Sequence, residues 1–194
     1  PHRIPELFPD LREAGFTQLE VADEGTFDED KLNAIRREAA DYNLALPNWH
    51  LIQHSPFQPT TEEREAAARR TERSFTQGHS IGARNHVLHW YQRFTRPSDE
   101  MVWREIVDRW VEHATKLGTR LLMETVPDKP SNDRYVTCAE IADFVRSYPP
   151  EVMGVCLDVN HSNLQENLPD VIELLSDRLV SLHVSDNNGQ AEQH

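Results

Sequence analysis

Six times along its 194 residues the chain repeats one pattern: a long polar-rich helical stretch, a short turn, then a brief apolar run that ends on a polar residue. Helical periodicity covers about 4–14, 28–42, 61–81, 98–117, 137–147 and 168–177, and the apolar runs cover about 16–22, 44–50, 84–90, 119–125, 153–159 and 179–185. Gly15, Gly82 and Gly118 punctuate the turns, Ser98-Asp99-Glu100 reads as a helix start, and Pro149-Pro150 stops the fifth helix. Short strands separated by whole helices pair in parallel through βαβ units, which excludes a sandwich of hairpins.

A closed barrel and an open doubly wound sheet share this rhythm. A dinucleotide-binding doubly wound sheet carries a glycine-rich phosphate loop after its first strand, and no GxGxxG or P-loop occurs among only seven glycines. The expected fold class is therefore α/β, a (β/α) TIM barrel. A full eight-unit barrel takes about 250 residues. Six βα units in 194 residues predict a single domain over 1–194 that is an incomplete barrel, without the first and last strands.

Charge narrows the partners. With 33 acidic against 20 basic side chains, the formal charge of −13 repels polyphosphate, so nucleic acid is a disfavoured partner. No apolar run approaches the roughly 20 residues of a membrane span. Cys138 and Cys156 form no CxxC, which fits a reducing, cytoplasmic setting without a disulfide framework.

The apolar runs end on potential metal ligands: His50, His89, Glu124, Asp158 and His183. Parallel strands of a barrel direct their C-terminal ends to one rim, so side chains far apart in sequence converge there. Glu124, Asp158 and His183 would then offer two carboxylates and an imidazole to one divalent ion, a donor set suited to Mn²⁺, Mg²⁺, Co²⁺ or Zn²⁺. His161, three residues past Asp158, is placed to reach a substrate hydroxyl or a second ion. Trp103 and Trp110, seven apart on one helix, share a packing face. His79, His86 and His113 fall where solvated roles are commoner.

Three segments carry a resemblance. Gly154-Val155-Cys156-Leu157-Asp158-Val159-Asn160-His161-Ser162-Asn163 resembles the "LDxGHxN" segment of the xylose isomerase-like superfamily of sugar phosphate isomerases/epimerases and endonuclease IV-like proteins. Leu182-His183-Val184-Ser185-Asp186-Asn187-Asn188-Gly189 resembles its next strand and loop, and Leu122-Met123-Glu124-Thr125-Val126-Pro127 its "LENxP" strand. The resemblance implies that Glu124, Asp158 and His183 are three of four metal ligands and that His161 contacts substrate. The fourth ligand, a glutamate on the last strand, would fall beyond His194. His50 and His89 match positions that bind additional zinc in endonuclease IV or line the pocket in sugar enzymes. Glu192 and His194 stand where that nuclease has an Asp-x-His pair, as additional metal or pocket residues. Glu20 is a further pocket candidate, and Trp49 and Trp90 are candidate apolar walls for a sugar.

The activity so implied is a divalent-metal-dependent isomerase or epimerase. It acts on a sugar, sugar phosphate or keto-hydroxy acid through a metal-stabilised enediolate, with Glu124 as one proton-exchanging base. Two other readings compete: an endonuclease IV-type zinc phosphodiesterase on abasic DNA, and a non-catalytic barrel relative. The expected partner is a small carbohydrate, and the sheet edges of an incomplete barrel invite assembly into a homo-oligomer.

Overall fold

Every predicted strand forms. In the computed structural model, which describes residues 5–52, 58, 60–89, 97–126, 137–164 and 166–189, a 3-10 turn Pro5–Leu7 leads into α1 Phe8–Glu13. It continues through β1 Gln18–Ala22, α2 Glu29–Asp41, β2 Ala45–His50, α3 Thr61–Ser80, β3 Asn85–His89 and α4 Pro97–Leu117. β4 Arg120–Glu124, α5 Cys138–Arg146, β5 Met153–Asp158, α6 Val159–Asn163, α7 Leu168–Leu175 and β6 Leu179–His183 complete it.

The strands belong to one sheet in sequence order, β1-β2-β3-β4-β5-β6. A doubly wound sheet reverses its strand order at a switch point. No reversal occurs here, so the ambiguity left by the α-then-β rhythm is resolved in favour of barrel-type winding. The short helix α6 was not expected from sequence. It forms because the Asp158 side chain caps it, accepting a bond from the His161 backbone N–H at 3.0 Å.

The chain divides into two compact units, Pro1–His86 with His113–Thr119, and Val87–Glu112 with Arg120–His194. In the first, β1 and β2 pair in parallel, with Glu20 opposite Asn48 and Ala22 opposite His50. α2 starts on the Asp28 cap and buries Leu32, Ile35 and Ala39, spaced to share one helical face. α3 opens with a capping box between Thr60 and Glu63 and buries a face of mostly small residues: Ala67, Ala68, Thr71, Ser74, Phe75 and Gly78.

That small-residue face accommodates Trp49. A Cβ built on Gly78 would lie 2.5 Å from the Trp49 Cγ, so the ring rests against the helix backbone. Its Nε1 donates to Ser74 Oγ at 3.0 Å, and Ser74 donates in turn to Asp23. Trp49 is fully buried. The expectation that it walls a substrate pocket is corrected: the ring lies in the helix-facing layer.

His86 is a second correction. Instead of being solvated it is fully buried, its ring 4.8 Å from that of Phe75, and neither ring nitrogen has a hydrogen-bond partner among the described residues. Burial, reinforced by like charge at His79 and His113, lowers its pKa to about 3.

In the second unit β5 is buried along its whole length, as suits a strand paired on both sides. Leu122 lies opposite Gly154, and Asp158 opposite His183. Trp103 and Trp110 are fully buried and meet edge to face at 5.9 Å, as their spacing predicts. Val87, Leu122 and Cys156 form a buried apolar cluster. Each stands two residues before His89, Glu124 or Asp158, and side chains two apart on a strand share a face. The apolar cluster thus floors a polar layer one step nearer the strand ends.

Candidate metal centre

That polar layer belongs to the second unit. Glu124 closes β4 with 1% of its surface exposed, and Asp158 closes β5 with 3%. Glu124 Oε1 lies 3.1 Å from His183 Nδ1, and Glu124 Oε2 lies 3.0 Å from His89 Nε2. Asp158 Oδ2 is 3.9 Å from His183 Nδ1 and 3.5 Å from His161 Nδ1. One ligand atom from each of Glu124, Asp158 and His183 falls within 4.8 Å of the other two.

Bond lengths of about 2.0–2.2 Å to a divalent ion place cis ligands roughly 3.0–3.5 Å apart and trans ligands about 4.2 Å apart. The 3.1 Å between Glu124 and His183 suits cis ligands, and the 3.9 Å between Asp158 and His183 lies between the cis and trans distances. Two buried carboxylates this close are costly without positive charge between them. The residues therefore fit a divalent cation bound by two carboxylate oxygens and one imidazole nitrogen, and borderline donors of this kind do not select among Mn²⁺, Mg²⁺, Co²⁺ and Zn²⁺.

Several contacts hold these groups in place. His161 is buried at the start of α6, its Nδ1 2.8 Å from the Thr125 carbonyl and 3.7 Å from Glu124 Oε1. Beyond β6 the loop is tied to α6 by amides. Asn187 Nδ2 donates to both the backbone and side-chain oxygens of Asn160 at 2.6 and 2.7 Å, and Asn163 Nδ2 donates to Asn187 Oδ1 at 2.9 Å.

Of the residues singled out from sequence, Glu124, Asp158, His183, His161 and His89 come together. His50 ends β2 in the first unit, half-buried, where its carbonyl accepts from the Asp23 N–H at 2.8 Å. Glu20 is half-buried on β1. Trp90, Glu192 and His194 lie outside the described residues. Sequence reading missed Thr125, Asn160, Ser162 and Asn187. Their signal was present, since each is a small polar residue within five positions of a proposed ligand, but such residues are common in loops.

The chain matches the family described as xylose isomerase-like TIM barrel over residues 8–194. No match is found among curated protein sequences. Among solved structures it superposes on a D-tagatose 3-epimerase-like protein with a TM-score of 0.82 at 17% identity, covering 96% of this chain and 73% of that one. For D-psicose 3-epimerase in the presence of D-fructose the TM-score is 0.77 at 21% identity, covering 92% and 66%. For 3-keto-D-glucoside 4-epimerase from E. coli it is 0.77 at 18% identity, covering 96% and 75%. At such identities the superpositions establish the fold alone. The family match spans nearly the whole chain, and with the sequential parallel sheet it identifies this protein as a member of the xylose isomerase-like TIM barrel family.

Proposed function

We propose that this protein is a divalent-metal-dependent isomerase or epimerase acting on a sugar, a sugar phosphate or a related keto-hydroxy acid. The observation that carries the reading is the convergence of Glu124, Asp158 and His183 on a volume that one ion would fill. The epimerases among the solved neighbours support the substrate class, as do the three sequence segments. The formal charge of −13 favours a small carbohydrate over a nucleic acid. Both cysteines are free and buried, which suits a reducing, cytoplasmic setting. No helix among the described residues is long and apolar enough to cross a membrane.

Removing a proton from the carbon beside a carbonyl leaves one negative charge shared by that carbon and the carbonyl oxygen, and a cation held by Glu124, Asp158 and His183 would supply the compensating charge. Glu124 is the base: its carboxylate takes the proton from carbon and returns it. Asp158 and His183 hold the geometry from the facing ends of β5 and β6. His161, its Nδ1 engaged by the Thr125 carbonyl, directs Nε2 to a substrate oxygen. The apolar floor of Val87, Leu122 and Cys156 excludes water beneath them.

One base suffices for proton exchange, whereas inversion needs a second base on the opposite face of the substrate. The test is therefore isotopic. With Mn²⁺, Mg²⁺, Co²⁺ or Zn²⁺ and a panel of ketohexoses, ketose phosphates and keto-hydroxy acids in D₂O, the wild type is expected to introduce deuterium beside the carbonyl, and Glu124→Gln to lose at least about a hundredfold in that rate. Absence of exchange with all four candidate ions overturns the reading.

A further inference from the structure

We propose that Thr125 is a positioning residue for His161, its hydroxyl taking over a ladder bond that its own carbonyl would otherwise make and so releasing that carbonyl to hold the imidazole. The inference rests on reading His161 as a substrate-contacting group. In a parallel ladder every second residue of one strand donates to the partner strand and accepts from it two residues further on. The Thr125 N–H donates to the Cys156 carbonyl at 3.1 Å, which assigns the next bond to the Asp158 N–H and the Thr125 carbonyl. That bond is replaced: the Asp158 N–H donates to Thr125 Oγ1 at 3.0 Å, while the Thr125 carbonyl receives His161 Nδ1 at 2.8 Å.

The hydroxyl is fully used. A threonine oxygen has one proton to give and two lone pairs. It accepts from the Asp158 N–H and from Ser162 Oγ at 3.3 Å, and donates to the Asp158 carbonyl at 3.4 Å. Thr125 is 2% exposed, so water cannot stand in for these bonds. A carbonyl only accepts, so Nδ1 must carry the imidazole proton in this contact, and Nε2 is left as the nitrogen able to accept from a substrate hydroxyl. Without the hydroxyl the Asp158 N–H turns to the Thr125 carbonyl, which then divides its two lone pairs between two donors and draws away from the line to the imidazole. Asp158 keeps its place in the sheet while His161 loses its orientation.

The experiment reads the imidazole directly. Long-range ¹H–¹⁵N correlation spectra of the metal-free protein, read at a pH where the ¹⁵N shifts themselves show a neutral ring, are recorded for wild type, Thr125→Val and Thr125→Ser. His161→Gln assigns the resonance. Wild type and Thr125→Ser are expected to carry the proton on Nδ1, and in Thr125→Val the ratio of Nδ1–H to Nε2–H tautomer falls at least about tenfold. Mn²⁺ affinity stays within about threefold across the three, because the Asp158 ligand is not displaced. Should Thr125→Val fail to fold, Thr125→Ala is read the same way. An Nε2–H tautomer in wild type, or an unchanged ratio without the hydroxyl, overturns the proposal. Failure of the wild type to bind Mn²⁺ instead overturns the metal reading and leaves the tautomer result standing.

Discussion

Acidification should weaken this protein through His86, by an amount that can be worked out in advance. The ring is fully buried beside Phe75 with neither nitrogen hydrogen-bonded among the described residues, and its pKa is lowered to about 3. In the unfolded chain the group titrates near 6.5. Above pH 6.5 both states are neutral and the group adds no pH dependence. Between pH 6.5 and 3 the unfolded chain holds a proton that the folded one does not, so stability rises with pH across that window. At 1.36 kcal/mol per unit, the loss amounts to about 2 kcal/mol at pH 5 and approaches about 5 kcal/mol at pH 3. His86→Leu, of similar volume and apolar, removes the effect and also removes two unsatisfied polar atoms, which should leave it slightly more stable at pH 7. Urea unfolding of both proteins from pH 7.5 to 5 isolates the group, because other titrations cancel in the difference. The stability gap between variant and wild type should widen by about 2 kcal/mol over that range. A gap that stays flat within about 0.5 kcal/mol would show that the ring is hydrated or partnered, and would refute the argument.

Further predictions concern packing and caps. Gly78→Ala sets a methyl 2.5 Å from Trp49 Cγ; overpacking of about 1–3 kcal/mol outweighs the gain in helix propensity, so urea denaturation should show a net loss near 1 kcal/mol. Ser74→Ala leaves the buried Trp49 N–H without its acceptor and Asp23 Oδ2 without the Ser74 hydroxyl, at a cost of about 1–3 kcal/mol by the same assay, where Ser74→Thr should cost less. Thr137→Ala breaks the capping box at the start of α5 and should lower stability by about 1 kcal/mol, seen as a lower Tm.

Much of this architecture was legible in the sequence because the α-then-β rhythm is dictated by covalent periodicities, 3.6 for helices and 2 for strands. The same period of two explains what was misread. Trp49 neighbours His50 and His86 lies three before His89, so on a strand both side chains point away from the strand-end histidine, into the layer covered by helices. Grouping Trp49 with His50 overlooked that alternation. Glu124, Asp158 and His183 stand out in the sequence because a carboxylate or imidazole closing an apolar run is conspicuous. Thr125 does not, because threonine is an ordinary strand residue whose rerouted ladder bond exists only once β4 and β5 are in register. Likewise α6 depends on the Asp158 cap, and Asp158-Val159-Asn160-His161 reads equally well as a loop until the carboxylate is seen to accept the His161 N–H.

The proposed chemistry requires one divalent cation between Glu124, Asp158 and His183. An anomalous-scattering map collected near the manganese edge, from crystals grown with saturating Mn²⁺, tests it without reference to any substrate. A single strong peak is expected about 2.0–2.3 Å from a carboxylate oxygen of Glu124, one of Asp158 and a ring nitrogen of His183, absent from Asp158→Asn crystals. A map with no peak among these three side chains, or with its peak bound elsewhere, would contradict it.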